Sequence, residues 1–173
     1  MARESAPYSD KDRRKAIILA ALSGWTGVTV AELHTANLSQ LLFYVPLFAA
    51  IGLPIAFLST WLIGGPIIRR VMARPVTWVR AALGGAGVAA ILAVISIVIG
   101  RLNGLRAYND PTFHFQLGGG DFVREIDGIL TPYGWLVLAR STALFILLGA
   151  AIGLLVRALI GPSFRRDEGA SAP

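Results

Sequence analysis

The sequence contains no cysteine and only two histidines. Without cysteine there are no disulfides, thiolate metal sites or thiol nucleophiles, so redox chemistry does not indicate a cellular compartment. The sequence patterns Gly-x-Ser-x-Gly and His-Glu-x-x-His and a pair of intramembrane aspartates are also absent. The glycines at 118–120 lack the Gly-Lys-Ser/Thr sequence of a phosphate-binding loop and predict a flexible turn. We therefore predict that the protein is not an enzyme.

Charged residues are missing from two long stretches of the chain. No Lys, Arg, Asp or Glu lies from Leu33 to Ile68 or from Ala81 to Gly100. Together with 55% hydrophobic residues and a mean hydropathy of +0.64, this predicts a membrane protein. The net charge of +6 would suggest a nucleic-acid partner in a soluble protein, but here the basic residues flank apolar runs. They are interpreted as topology signals, and no nucleic acid is expected.

The apolar runs predict an all-α membrane protein with four transmembrane helices in a bundle. The first run follows a basic segment, as in a signal peptide, but it lacks a convincing small-x-small cleavage site and is interpreted as a retained anchor. A short amphipathic helix on the outer surface is expected between helices 3 and 4. The predicted spans are about 16–33, 41–64, 81–100 and 133–160 within a 16–160 membrane domain, with an outer loop at 101–132 and cytoplasmic tails at 1–15 and 161–173.

A short basic connector between the second and third spans orients this topology. It carries four arginines, which are Arg69, Arg70, Arg74 and Arg80. Short loops rich in Lys and Arg stay on the cytoplasmic side, so both termini are expected to be cytoplasmic as well. The same arginines are expected to contact anionic lipid head groups. A preference for Arg over Lys and many Ala and Gly residues suggest a bacterial protein, and hence the inner membrane.

The outer loop contains the segment that predicts the amphipathic helix. Asp121 is a suitable N-cap, and Glu125 lies in the first turns. Apolar residues then recur at helical spacing on one face, namely Phe122, Ile126, Ile129 and Leu130. We therefore expect a short helix that lies on the outer membrane surface or folds over the bundle.

Arg140 is the one charged residue well inside an apolar run. An intramembrane charge is a functional candidate by default. Arg140 is interpreted first as a structural anchor near the outer edge of the membrane, which snorkels to water or pairs with Asp121, Glu125 or Asp127. The alternative is a site for an anionic ligand, a lipid head group or a carboxylate of a partner protein.

Glu32, His34 and His114 are the weak candidates for a metal site at the outer side. Imidazole and carboxylate are suitable ligands, but the two histidines lie far apart in the sequence and show no repeated spacing. A loop or interfacial role is preferred for both. No metal and no other cofactor is predicted, whereas bound lipid is expected.

Small residues at helical spacing predict tight packing between helices. Gly85, Ala89 and Ala93 are four residues apart in the third span, and Gly149 and Gly153 form a GxxxG pair in the fourth. Gly24 offers a small residue in the first span. In the second span, Pro46 and Pro54 mark either a gating or binding helix or simple packing around its neighbours.

These features favour an accessory or structural subunit of a bacterial inner-membrane complex. The expected partners are membrane lipids and either a larger integral membrane protein or further copies of this chain. The first alternative is a small membrane subunit of a solute transporter. The second is a membrane enzyme that acts on lipid or quinone at the outer face, where Arg140, His114 and the acidic residues of the outer loop would lie.

Overall fold

The computed structural model describes residues 8–112 and 114–161. This part of the chain is mostly helical, with one small three-stranded sheet. The helices are α1 (Asp10–Leu33), α2 (Leu38–Ser59), α3 (Gly65–Val71), α4 (Trp78–Tyr108) and α5 (Pro132–Ile160). A π-helical segment, Thr60–Gly64, joins α2 directly to α3 and is called the π segment below.

Four continuous helices are long and apolar enough to cross a membrane. They are α1, the combined helix Leu38–Val71, α4 and α5, with 24, 34, 31 and 29 residues. A helix rises about 1.5 Å per residue, so the shortest reaches about 36 Å, which exceeds the ~30 Å hydrocarbon core of a bilayer. The prediction of four apolar helices of spanning length is therefore confirmed.

Helix α1 begins at Asp10, earlier than the apolar run suggests. The side chain of Ser9 accepts a hydrogen bond from the backbone N–H of Asp12, and the Asp12 carboxylate accepts one from the backbone N–H of Ser9. This reciprocal capping box satisfies donors that a helix start leaves unpaired. The polar residues before Ala16 therefore add helical turns to a run that was short for a span.

Helix α2 continues through both of its prolines. Asn37 caps its start by accepting a hydrogen bond from the backbone N–H of Gln40. Pro46 and Pro54 lie inside the helix, and the π segment follows before Pro66 in the first turn of α3. Pro66 has no N–H to offer the carbonyl four residues earlier, and a local change of helix type accommodates that loss.

The described chain divides into two compact units. Unit 1 comprises Met1–Val88 and Leu148–Pro173, and unit 2 comprises Ala89–Leu147. Unit 1 contains α1, α2, the π segment and α3 with the first part of α4 and the last part of α5. Unit 2 contains the rest of α4 and α5 and the segment that connects them.

Within unit 1, side chains of one helix contact the backbone of another. The Trp25 indole N–H donates a hydrogen bond to the carbonyl of Phe48 over 3.0 Å, which ties α1 to α2. Unit 1 also contains a cluster of buried residues, which are Tyr8, Ala16, Met72, Val76 and Ala81. The Tyr8 hydroxyl donates to the carbonyl of Gly161 over 3.1 Å. Residues near the two ends of the described chain are therefore joined directly.

The prediction of an amphipathic helix between the third and fourth spanning helices is wrong. A 3-10 turn at Gly120–Phe122 and two strands, β2 (Glu125–Ile126) and β3 (Ile129–Leu130), occupy that segment, and β1 (Gln116–Leu117) completes an antiparallel sheet in the order β1-β2-β3. Asp127 and Gly128 form the two-residue turn between β2 and β3, with φ of 48° and 85°. Asp-Gly favours such hairpin turns because both residues tolerate positive φ.

The hairpin of β2 and β3 packs on the end of α4 within unit 2. A side-chain carbon on Gly104 would overlap the carbonyl oxygen of Gly128, and one on Gly128 would overlap the carbonyl oxygen of Gly104. Glycine at both positions therefore lets the two backbones touch. Helix α4 continues to Tyr108, past the charge-free run that ends at Gly100, and so provides the surface for this contact.

Candidate functional site

Arg140 lies on an exposed apolar face of α5 in unit 2. Leu136 and Leu144, four residues away on either side, expose 66% and 57% of their surface, and Arg140 is exposed between them. Among the residues that the structure describes, no hydrogen bond or ion pair is formed by the Arg140 guanidinium. Arg140 follows Pro132 by eight residues, or about 12 Å of helix. Within the described residues, the permanent charge of Arg140 therefore has no partner on an otherwise apolar helix face.

The three acidic residues proposed as partners of Arg140 are placed elsewhere in unit 2. Glu125 approaches Arg101 of α4, with an oxygen-to-nitrogen distance of 3.7 Å. The Asp127 carboxylate accepts a hydrogen bond from the backbone N–H of Phe115 over 2.9 Å, so it stabilises the hairpin. Asp121 lies in the 3-10 turn. The arrangement leaves Arg140 available to a group outside the described chain.

The residues named as weak metal candidates do not form a cluster in the described part of the chain. The Nδ1 atom of His34 lies 2.8 Å from the carbonyl of Ala31 at the end of α1, and Glu32 is exposed. The Nδ1 atom of His114 lies 3.8 Å from the Asp127 carboxylate, which forms an ion pair when the imidazole is protonated. Among the residues at 8–112 and 114–161, no group of three or more His, Asp or Glu side chains is arranged to hold a metal ion.

Three of the glycines named from their spacing, Gly85, Gly149 and Gly153, lie where α4 meets α5 in unit 1. A side-chain carbon on Gly85 would overlap the carbonyl oxygen of Gly149 and lie 3.0 Å from the backbone nitrogen of Gly153. One on Gly153 would overlap the carbonyl oxygen of Ala81. The two helices therefore contact each other backbone to backbone, as small residues four apart permit.

The other predicted packing residues have different surroundings. A side-chain carbon on Gly24 would lie 3.8 Å from the Ile152 side chain, an ordinary contact distance, so Gly24 does not mark a close approach of backbones. Ala89 and Ala93 are buried in unit 2. Gly52 was not predicted as a packing residue, but a side-chain carbon there would lie 3.0 Å from the Trp25 ring. Gly52 is a single glycine that faces one aromatic ring, so no spacing of residues in the sequence could have identified this contact.

The four arginines of the connector are all exposed. Within the described residues none of them forms an ion pair. The connector is held by a contact with α5. The Arg157 side chain of α5 donates a hydrogen bond to the carbonyl of Val76 and lies 5.3 Å from the centre of the Trp78 ring. Arg157 thus joins α5 to the connector.

No family model matches the chain, and neither a curated protein nor a solved structure does. A functional interpretation therefore depends on the chain's own residues. The main candidate for a contact with another molecule is Arg140 together with the exposed leucines beside it.

Proposed function

We propose that this chain is a multi-pass protein of the bacterial inner membrane that serves as an accessory or structural subunit of a larger membrane complex. The single observation that carries the proposal is the exposed Arg140 on the apolar face of α5. A charged side chain on a lipid-facing helix is costly unless it reaches water or a counter-charge. A carboxylate on a neighbouring membrane helix would provide that counter-charge.

The proposed topology places both ends of the chain in the cytoplasm. The bond between Tyr8 and Gly161 supports an even number of crossings, because it joins the two ends of the described chain. The connector arginines favour the cytoplasm for the side on which these ends lie. The small sheet of unit 2 then belongs to the outer side, together with Tyr133 and Trp135 at the start of α5.

The large exposed apolar surface agrees with a subunit role. Within the described chain, the helix Leu38–Ser59 buries none of its residues. Lipid can cover such a surface, so exposure alone does not require a protein partner. An apolar face that carries a cation with no partner among the described residues is more specific, and for that reason the experiment is aimed at Arg140.

Co-purification in mild detergent tests the proposal. We expect the wild-type chain to recover a larger membrane protein in stoichiometric amount, and Arg140→Ala to lose it while the variant still accumulates in the membrane. Arg106→Ala is the matched control, because Arg106 is an exposed arginine at the end of α4 and outside the apolar face. Recovery of a stable monomer or homo-oligomer with no other protein would contradict the subunit role.

Photo-crosslinking locates the contact on the helix. A photoreactive residue at Leu144 should capture the same partner, because Leu144 lies one turn from Arg140 on the exposed face. Leu159, exposed near the other end of α5, is the comparison site and should give no such product. Equal crosslinking from both positions would show that contact is not centred on Arg140. Solute uptake in a deletion strain would then distinguish a transporter subunit from a structural one.

A further inference from the structure

An open groove runs along unit 1 between α1 and the helix that contains the π segment. Its volume is about 190 Å³, and its lining comes from α1, the π segment and α3. The residues that line it are Ile17, Trp61, Leu62, Gly65, Pro66 and Arg69. All of these walls belong to unit 1, so the groove is complete within one compact part of the chain.

The groove exists because of the local helix geometry. The π segment ends at Gly64, and Gly65 and Pro66 follow in the first turn of α3. Gly65 is buried, and a side-chain carbon there would approach the end of the Ile17 side chain at 4.0 Å. A residue without a side chain therefore forms the floor. The larger Trp61 and Leu62, which expose 63% and 56% of their surface, form the walls.

Arg69 gives the groove a positive charge at one end. Within the described chain, Arg69 is the only charged residue in the lining, and it forms no ion pair. No Asp or Glu occurs at all between Leu33 and Asn109. In the first turn of α1, Asp10 pairs with Arg13 over 3.1 Å and Asp12 accepts hydrogen bonds from Ser9. The carboxylates at that end of α1 are therefore already engaged.

Apolar walls beside a single cation match an amphipathic anion. We propose that the groove binds one anionic phospholipid, with its phosphate at the Arg69 guanidinium and the first part of an acyl chain along Ile17 and Leu62. The groove is open on one side, so the rest of the acyl chain can join the bilayer. Guanidinium and phosphate form charge-assisted, often bidentate hydrogen bonds. Trp61 suits the same depth, because tryptophan favours the membrane interface.

This inference rests on the proposed membrane location, and it goes further by naming one lipid site. It does not require the partner protein of the proposed function. Lipid binding by the purified chain in detergent and recovery of a partner from cells are separate measurements. Failure of one leaves the other intact.

Native mass spectrometry of the purified full-length chain tests the site. The protein is titrated with phosphatidylglycerol or with phosphatidylcholine of the same acyl chains. We expect one phosphatidylglycerol to be retained in preference to phosphatidylcholine. Arg69→Gln should weaken that binding about tenfold, because it removes the charge-assisted hydrogen bonds between the guanidinium and the phosphate.

Arg106→Gln is the matched control, since Arg106 is exposed at the end of α4 and does not line the groove. It should change binding less than twofold. Equal losses in the two variants, or equal retention of the two lipids, would overturn the proposal in favour of non-specific attraction. Arg69→Lys keeps the charge and should bind with intermediate strength, which preserves the test if Arg69→Gln does not fold. Inorganic phosphate at the same concentration should not displace the lipid; complete displacement would overturn the lipid assignment in favour of a site for free phosphate.

Discussion

In each unit of this molecule, glycine residues bring two backbones into contact. In unit 1, Gly85 of α4 meets Gly149 and Gly153 of α5 along two helices. In unit 2, Gly104 of α4 meets Gly128 in the turn of a hairpin. The physical device is the same, because a missing side chain allows close approach in both cases. Only the element on the far side of the contact differs.

The difference shows what a helical repeat can and cannot reveal. Small residues four apart on apolar runs predict close packing of helices, and Gly85, Gly149 and Gly153 were named on that basis. The structure places Gly85 against Gly149 and Gly153, a pairing that the spacing alone did not specify. Gly104 and Gly128 are single glycines in unlike elements and have no common period. Their contact becomes visible only after the hairpin is known. Helix pairs are therefore easier to predict here than contacts between a helix and a turn.

The largest expected effect comes from adding one methyl group to the helix contact of unit 1. Gly85→Ala should lower the free energy of unfolding in detergent by about 1–3 kcal/mol, because the new carbon overlaps the Gly149 carbonyl oxygen and forces the helices apart. Gly87→Ala is the control two residues further along α4, where a side-chain carbon has no atom within 4 Å. It should be neutral or slightly stabilising. Equal destabilisation by both changes in denaturant unfolding would contradict the contact.

The same change in unit 2 should act locally. Gly104→Ala is expected to displace the hairpin and expose residues 114–131 to protease, because the new carbon overlaps the Gly128 carbonyl oxygen. Its cost in global unfolding should be smaller than that of Gly85→Ala, since the helices themselves remain packed. Gly100→Ala, with open space around the added carbon, is the control. Unchanged proteolysis in Gly104→Ala would show that the hairpin is held by other contacts.

Helix caps give a finer comparison between the units. Thr131 caps α5 in unit 2: its hydroxyl accepts from the backbone N–H of Gly134 over 3.0 Å and donates to the carbonyl of Val123. Thr77 in unit 1 only accepts from the backbone N–H of Arg80, over 3.3 Å. Thr131→Val should therefore cost about 1 kcal/mol, and Thr77→Val less. Thermal unfolding of the two variants in the same detergent measures this order, and a larger loss for Thr77→Val would reverse it.

The smallest effect is a pH dependence in the loop of unit 2. The Thr112 hydroxyl and backbone N–H both donate to the Asp110 carboxylate, and they lower the pKa of Asp110 from its ordinary value of 3.8. Because the folded pKa is the lower one, this turn is stabilised above pH 3.8, and the stabilisation is lost as pH falls through the lowered pKa.

An NMR titration of the Asp110 carboxyl carbon measures that pKa. Thr112→Val removes the hydroxyl and should raise the pKa of Asp110 towards 3.8, while the backbone N–H remains as a donor. An unchanged pKa for Asp110 in Thr112→Val would show that the hydroxyl makes no contribution.

The spans were predictable because charge and hydropathy are averaged over many residues. The gap in charge from Leu33 to Ile68 predicted a membrane helix whatever its details. The start of α1 at Asp10 was not predicted, since it depends on one serine and one aspartate in a capping box. The outer loop was misread because Phe122, Ile126 and Ile129 also fit a helical period. Asp127-Gly128 was the stronger signal, because few residue pairs accept positive φ at both positions.

The candidate site was predictable only in part. Arg140 stood out as a charge inside an apolar run, yet nothing in the sequence showed that Glu125 would approach Arg101 and that Asp127 would serve the hairpin. Those contacts depend on the fold of the outer loop. The groove at Arg69 depends on the π segment. A π-helical turn before a single proline leaves no periodic pattern in the sequence, so the groove could not be predicted.

Site-specific labelling tests the central claim, a chain with four crossings and its basic connector in the cytoplasm. The chain has no cysteine, so Ala73→Cys in the connector and Pro111→Cys in the outer loop each provide a single exposed target. With this topology, we expect a membrane-impermeant maleimide to label Pro111→Cys in cells with a permeable outer envelope. It should label Ala73→Cys only after the inner membrane is opened. Labelling of Ala73→Cys from outside, or of both positions from the same side, would contradict it.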